Sequence, residues 1–401
     1  MVPTPDIGRD AAVDFVAAHL GHLVDGPVVG SARFTGGQSR ADAALAAYDV
    51  TGYAATRNEV WPPERRGASA LSPFIRHGLL QLPRVWRAVA DGPRRDVAKF
   101  RDELLWQEYA RHWYADHGAA TAHGIRRSLA GRRGIDGWDR TMACVDATVG
   151  ELERDGWLVN QTRMWLASHW AVREGARWQD GEDRFFAHLL DGSRAANRLG
   201  WQWTTGVGSS KPYGFSRSQV EKRAPGLCAG CERRNACPIA DWPDDPPYAP
   251  RSGATDAITT DLHGPLEPLV GGEPVAVWLT AESLGDDDPA LAAHPDLPAV
   301  FVFDEPLLAR LRLSAKRLVF LTETLAELGA ARPVELHVGS PTDVLAGRRL
   351  AVTHAPVPGF ASRARFLDIA ARHPWPWLAR PTAGSVSSFS AWRRRSATLA
   401  P

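Results

Sequence analysis

Near residue 240 the hydrophobic period of this chain changes, and that change limits the folds open to it. Upstream, apolar residues recur at the spacing of a helix face. VAKFRDELLWQEYARHWYADHG (97–118) keeps that spacing and stops at Gly118. ACVDATVGELERDGWLVNQTRMWLASHWAV (143–172) keeps it too, with a break near Asp155-Gly156 that divides it into two helices. EDRFFAHLLDG (182–192) reads as a further helix closed by Gly192. From Ala240 to about Pro274 the chain is rich in Pro, Asp and Gly, the texture of a connection. Beyond it come short apolar, β-branched runs at 275–281, 299–304, 334–339 and 350–355, with helical segments at 314–330 and 362–373 between them. The pattern predicts a multidomain α and α/β chain. An all-helical body covers 1–240, a connection covers 241–272, and a small Rossmann-like α/β domain with a parallel sheet covers 273–401.

Charge and composition exclude some functions and leave others open. The formal net charge is +1, so the whole chain does not announce a polyanionic partner. Between Trp61 and Arg140, however, 15 Arg and Lys face 9 Asp and Glu, enough to make one surface attractive to phosphates or to leave an ordinary solvated face. No stretch approaches the eighteen uninterrupted apolar residues of a membrane span, and the first residues lack an apolar signal core, so a cytoplasmic location is expected. There are 16 Trp against 6 Tyr. Trp is a core residue, but it also stacks on bases and relays electrons. The four cysteines are Cys144, Cys228, Cys231 and Cys237. In a reducing compartment, CxxC with a third Cys six residues on reads as a metal or cluster site ahead of disulfides.

Several segments resemble the photolyase/cryptochrome family. RNEVWPPERRGASALSPFIRHG is similar to the stretch that holds the FAD phosphates, and FRDELLWQEYARH to the substrate helix. GWLVNQTRM and LLDGSRAANRLGWQW resemble the two flavin-pocket motifs. In the second half, DDPALAAHPDLPAVFVFD, LVFLTETLAELGA with VELHVGSPTDVL, and SVSSFSAWRRRS resemble the family's α/β antenna domain and the segment leading out of it. In the family the α/β domain precedes the helical one. Here the order is reversed, so the chain resembles a circularly permuted member.

The resemblance implies a site, residue by residue. Glu103 and Trp106, three apart on one helix face, match the residues that contact a pyrimidine dimer. Trp203 matches the opposite wall of that pocket, and Asn160 and Met164 also lie toward the lesion. Asn160, Arg163, Met164 and Ala167 form an i, i+3, i+4, i+7 stripe. Arg163 pairs with Asp191 beside the isoalloxazine, and Asn197 faces flavin N5. Tyr53, Ser69, Leu71 and Ser72 match phosphate- and ribityl-binding positions. Trp201 and Trp178 match the first two members of an electron relay, and Trp138 is a guess for the third. The four cysteines resemble the ligands of a four-iron cluster in the iron–sulfur bacterial branch, with a tetrahedral zinc site as the competing reading.

Departures from the family pattern matter as well. Ser193 stands where a second Asp follows Asp191, and Ala68 and Ala70 replace Thr and Arg of the phosphate loop. TAESL (280–284) replaces the Arg-rich opening of the antenna domain, so antenna binding is expected to be weak or absent. Val159-Asn160 stands where the iron–sulfur branch carries a His pair. The expected activity is therefore light-driven, FAD-dependent repair of cyclobutane pyrimidine dimers in UV-damaged DNA by a monomer. (6-4) repair and a photoreceptor without repair activity are the alternatives.

Overall fold

The structure, a computed structural model, describes residues 1–250, 262–382, 386 and 388–396. The middle of the expected connection (251–261) and Ser385 and Ser387 of the SVSSFSAWRRRS segment lie outside the described residues. Up to residue 240 the backbone is helical apart from one short strand, β1 (Arg127–Leu129), which pairs antiparallel with β2 (Tyr248–Pro250). A six-stranded sheet follows. Its strands are β3 (Leu269–Val270), β4 (Ala276–Leu279), β5 (Ala299–Asp304), β6 (Val334–Gly339), β7 (Leu350–Thr353) and β8 (Ile369–His373). They lie in the order β3-β8-β7-β4-β5-β6, all parallel except β3 at one edge. The buried runs of β4 (AVWL), β7 (LAVT) and most of β5 (AVFVFD) are what a parallel sheet covered on both faces requires.

Two sequence expectations change here. IAARH at 369–373 was expected to continue a helix, but the helix spans Pro358–Ala364 and the rest is β8. Ala and Arg are good helix formers, but propensity is a weak preference that tertiary context overrides, and the edge of β7 offers a ladder of hydrogen bonds. The helix expected at 182–192 instead runs Trp178–His188 and ends before Leu189, which is extended. Leu189 to Gly192 form a turn that carries Asp191.

The Ala315–Ala331 helix joins the two bodies. Thirteen of its seventeen residues are buried, among them Lys316, Arg317, Thr322, Glu323 and Thr324. Such a helix cannot be satisfied by the sheet alone. Its polar groups are met from the helical body. Arg317 donates through Nε to the Leu189 carbonyl at 2.9 Å and through Nη2 to that of Phe186. Glu323 accepts from the backbone of Gly36 at 2.7 Å and pairs with Arg9. Thr324 accepts from Gly37 at 3.0 Å. The Arg9–Leu20 helix lies along it, so the first segment of the chain packs on the α/β layer. Conversely, Leu378 and Ala379 donate their backbone N–H groups to Glu108 in the long helix Arg94–His117, and Trp392 packs on Tyr109. Each end of the described chain thus lies against the other body, and the limits at 240 and 273 mark a change of element rather than a separation.

Gly36 makes the tightest of these approaches. A Cβ there would sit 2.1 Å from the backbone oxygen of Phe320 and 2.7 Å from Thr324 Oγ1. Because the backbone of a buried helix cannot yield, Gly36→Ala is expected to destabilise the protein by about 1–3 kcal/mol. Denaturant unfolding checks this, with an unchanged midpoint as the opposing result.

Candidate functional site: a cavity between the helical body and the sheet

A cavity of about 820 Å³ opens between the helical body and the carboxyl ends of β4 and β5. That is the size of an organic cofactor site, and it lies where open parallel sheets bind ligands.

Its helical wall is built from short pieces. Asn160 begins the helix Asn160–Ser168, and Asn160, Arg163, Met164 and Ala167 all line the cavity. The stripe read from sequence is therefore one wall. Arg163 Nη2 donates to Asp191 Oδ2 at 2.7 Å, while Arg163 Nε donates to the Leu158 carbonyl. The other carboxylate oxygen, Asp191 Oδ1, is buried and has no partner. A buried acceptor left open costs about 1–3 kcal/mol until a donor reaches it. Asp191 lines the cavity, so this oxygen is open to a donor carried by whatever fills that space.

Asn197 also lines the cavity and is buried. Its Nδ2 donates to Glu182 twice, to Oε1 at 2.8 Å and to the backbone oxygen at 3.1 Å. Both amide hydrogens are spent, so the oxygen is the group Asn197 has left to offer. Glu182 is a residue that sequence reasoning missed. Burial holds its carboxyl above the usual range, against the pull of Arg194 and Arg198. Its only signal in the sequence is an acid on the inner face of an amphipathic helix.

At the far end, Tyr53, Ser69 and Ser72 line the cavity. Burial raises the Tyr53 phenol above its usual value, with the Glu103 carboxylate adding to the shift. Ser72 Oγ accepts from Trp157 Nε1 at 2.9 Å, and Ala70 is held at φ 55°, a left-handed conformation a non-glycine adopts at a cost of roughly 1–2 kcal/mol. Leu71 is buried and lies outside the lining; its N–H points back to Ser69 Oγ at 3.4 Å. Glu103 lines the cavity between two cations, Lys99 at 2.8 Å and Arg57 at 3.5 Å.

Three expected aromatic residues are not on the lining. Trp106 stacks on Phe389 with ring centroids 3.8 Å apart and planes within 10°. Trp203 is 46% exposed beside Tyr213. Trp178 is buried behind the lining, whereas Trp201 lies on it with its Nε1 unpartnered.

The cavity continues into the α/β domain as an apolar annex, lined by Phe301 and Phe303 from one face of the sheet and by Trp278 and Phe360 from the other, with the Arg363–Asp304 ion pair on its lining. Trp278 and Phe360 stack with centroids 5.5 Å apart. TAESL gave no sign of this space, because its walls come from strand positions that read only as core. Arg76, His77, Arg111 and Arg317 were missed for a similar reason, lying where the two bodies meet. Burial first, then Arg76, lowers the His77 imidazole to about 3, so it is neutral.

The cysteines converge without closing. Cys144 in the helix Ala143–Asp155 is buried, and burial together with the thiols of Cys228, Cys231 and Cys237 pushes its thiol up to about 12. The Ala143 N–H lies 3.4 Å from Cys231 Sγ. Among the described residues no group of three or more His, Cys, Asp or Glu side chains is drawn together tightly enough to hold a metal ion. No helix among the described residues is long and apolar enough to cross a membrane.

This arrangement is a helical body docked on a mostly parallel α/β sheet, with a cavity of cofactor size between them. Residues 100–223, which carry most of the helical wall, match the family "FAD binding domain of DNA photolyase". Deoxyribodipyrimidine photo-lyases from Synechococcus, Escherichia coli and Thermus thermophilus are 31, 30 and 34% identical to 36, 38 and 37% of the chain. The matches cover 34, 35 and 37% of those relatives, so the chain spans about a third of the length of the curated relatives it matches. A bacterial class III photolyase structure from Agrobacterium tumefaciens is similar at 25% identity and a TM-score of 0.39, covering 46% of this chain and 42% of its own. A Synechocystis cryptochrome is similar at 21% identity and 0.43, covering 50 and 46%. The match of residues 100–223 to the FAD-binding-domain family and the photo-lyase relatives support the photolyase/cryptochrome family for the segment that lines the cavity.

The Asp191 carboxylate provides the test of cofactor fit. Asp191→Asn keeps the shape and removes the charge. A hydrogen bond to a charged group contributes about 1.5–3 kcal/mol, so the variant is expected to bind FAD roughly 10–100-fold more weakly. Flavin titration of the apoprotein measures this, with far-ultraviolet circular dichroism as the folding control.

Proposed function

We propose that this chain binds FAD in the cavity and uses light to repair cyclobutane pyrimidine dimers in DNA. The observation that carries the reading is the unpartnered, buried Asp191 oxygen beside the Asn160-to-Ala167 stripe, inside a cavity of cofactor size. Tyr53, Ser69 and Ser72 would hold the phosphate and ribityl end. Arg163, Asp191 and Asn197 would hold the isoalloxazine end. FAD, when bound and reduced, supplies the photoexcited electron. The protein's part is to fix charge around it. Asn197, with both amide hydrogens committed to Glu182, offers an acceptor and delivers no proton. The Arg163–Asp191 pair stabilises charge in a partly buried setting. Glu103 opens onto the same cavity, where a carboxyl can share a proton with a thymine carbonyl as negative charge develops.

A second reading is favoured by one observation. Trp106 is occupied by Phe389, so an extruded base must displace that ring before it can stack there. A blue-light photoreceptor has no such requirement. Val159-Asn160 in place of a histidine pair argues for dimers over (6-4) photoproducts. The reversed order of the two bodies supports a circularly permuted arrangement, and the aromatic annex supports a second chromophore more than TAESL does. The cysteines are proposed to hold a cluster or zinc. Metal binding would offset the burial and the neighbouring thiols that together keep the Cys144 thiol protonated.

Illuminating dimer-containing and (6-4)-containing oligonucleotides with the purified protein tests the main reading. Repair of the first only is expected, and repair of neither favours the photoreceptor. Glu103→Ala should cut repair while leaving FAD binding intact; undiminished repair removes the assigned role. Iron and zinc analysis of the same sample decides the cysteine site.

A further inference from the structure

We propose that Phe389 is a built-in cover for Trp106, a ring of the chain's own that an extruded base must exchange with before it can stack. The proposal rests on the repair reading above and adds what controls entry to that site.

The two rings lie 3.8 Å apart, centroid to centroid, with planes within 10°. Overlap this close and parallel is how a base lies on an indole, whereas neighbouring aromatic side chains in a protein mostly settle offset or edge-on. The other rings of the cluster do settle that way. Trp106 and Phe389 both meet Tyr109 edge-on, with centroids 5.9 and 5.7 Å away and planes at 82° and 76°. Phe389 is tilted by 34° against Trp392 at 5.9 Å. Phe389 therefore stands on the indole face in the place of a base. Trp106 sits at the margin of the cavity, since Glu103, one turn back, and Gln107, the next residue, both line it.

The segment is pinned on either side of this ring, while the ring itself is not. Trp392 is buried against Tyr109 and His112. Val386 is buried as well, and its carbonyl accepts from Tyr109 Oη at 2.8 Å. Ser388 caps the helix Phe389–Arg395, its Oγ accepting from the Ala391 N–H at 3.2 Å. Phe389 is the first residue of that helix and is partly exposed, so no preceding turn crowds its side chain. Rotation about its own side-chain bonds takes it off the indole with both anchors in place. Arg393, Arg394 and Arg395 are exposed on the last turn of the same helix, so a phosphate backbone drawn to them arrives close to the ring.

The exchange gives up one stack for another. A base that stays paired in its duplex gains nothing from Trp106 and leaves Phe389 where it is. A dimer is cheaper to extrude, and it takes the indole face as Phe389 moves away. Phe389 thus keeps that face out of water until a lesion arrives.

The test measures binding of the full chain in the dark by fluorescence anisotropy. The probes are a labelled duplex carrying one thymine cyclobutane dimer and the same duplex undamaged. Phe389→Ala is expected to bind the dimer duplex about 2–10-fold more tightly, with the undamaged duplex unchanged. Phe389→Tyr, which keeps the stack, should behave as the unaltered protein, and adding Trp106→Ala to Phe389→Ala should abolish the gain. If Phe389→Ala melts early, Phe389→Leu, which keeps an apolar group against Tyr109 and Trp392, carries the same expectation. A dimer preference in the unaltered chain that Phe389→Ala and Phe389→Leu leave unchanged or reduce overturns the cover and leaves the repair reading standing. Equal tightening on both duplexes also overturns it. No preference for the dimer in any of these proteins overturns the repair reading and the cover together.

Discussion

The rest of the structure depends on the burial of a polar helix. Ala315–Ala331 carries a guanidinium, an ammonium, a carboxylate and two hydroxyls into the interior, a position that neither body could tolerate alone. Arg317 is fully enclosed, and desolvation lowers it to about 9; it stays charged because two backbone carbonyls of the helical body accept from it. Leu189, one of those acceptors, opens the turn that presents Asp191. Domain docking and the cavity wall are thus one constraint. A loosening of Arg317 would release the turn, and with it the Arg163–Asp191 pair.

Around that constraint the cavity is a place of unspent polarity. Most cations on its walls are already paired, as Arg76 is with Glu282 and Arg363 with Asp304. Among the groups left open are one oxygen of Asp191, the oxygen of Asn197, and the unpartnered N–H groups of Trp201 and Trp375. A site with a few oriented acceptors and a wide apolar annex suits a large planar cofactor with a polar chain better than it suits a small anion. Trp106, three residues along the helix from Glu103, is stacked on Phe389 and so lies off this lining.

The sequence by itself determined the period change near residue 240, the strands β4, β5, β6 and β7, and the Asn160-to-Ala167 stripe. Each is a local pattern: a helix face repeats every 3.6 residues and a buried strand runs continuously apolar, whatever lies across from it. Arg163 with Asp191 was legible for the further reason that both fall in motifs of a known family. The tertiary structure alone decided the rest. β8 took Ile369–His373 because β7 had an open edge, the turn at Leu189 formed because Arg317 needed its carbonyl, and Trp106 turned to Phe389, 283 positions away in sequence. Glu182 and Gly36 matter only through what presses against them. No window of sequence contains that neighbour, because contact between distant segments is a property of packing and not of pattern.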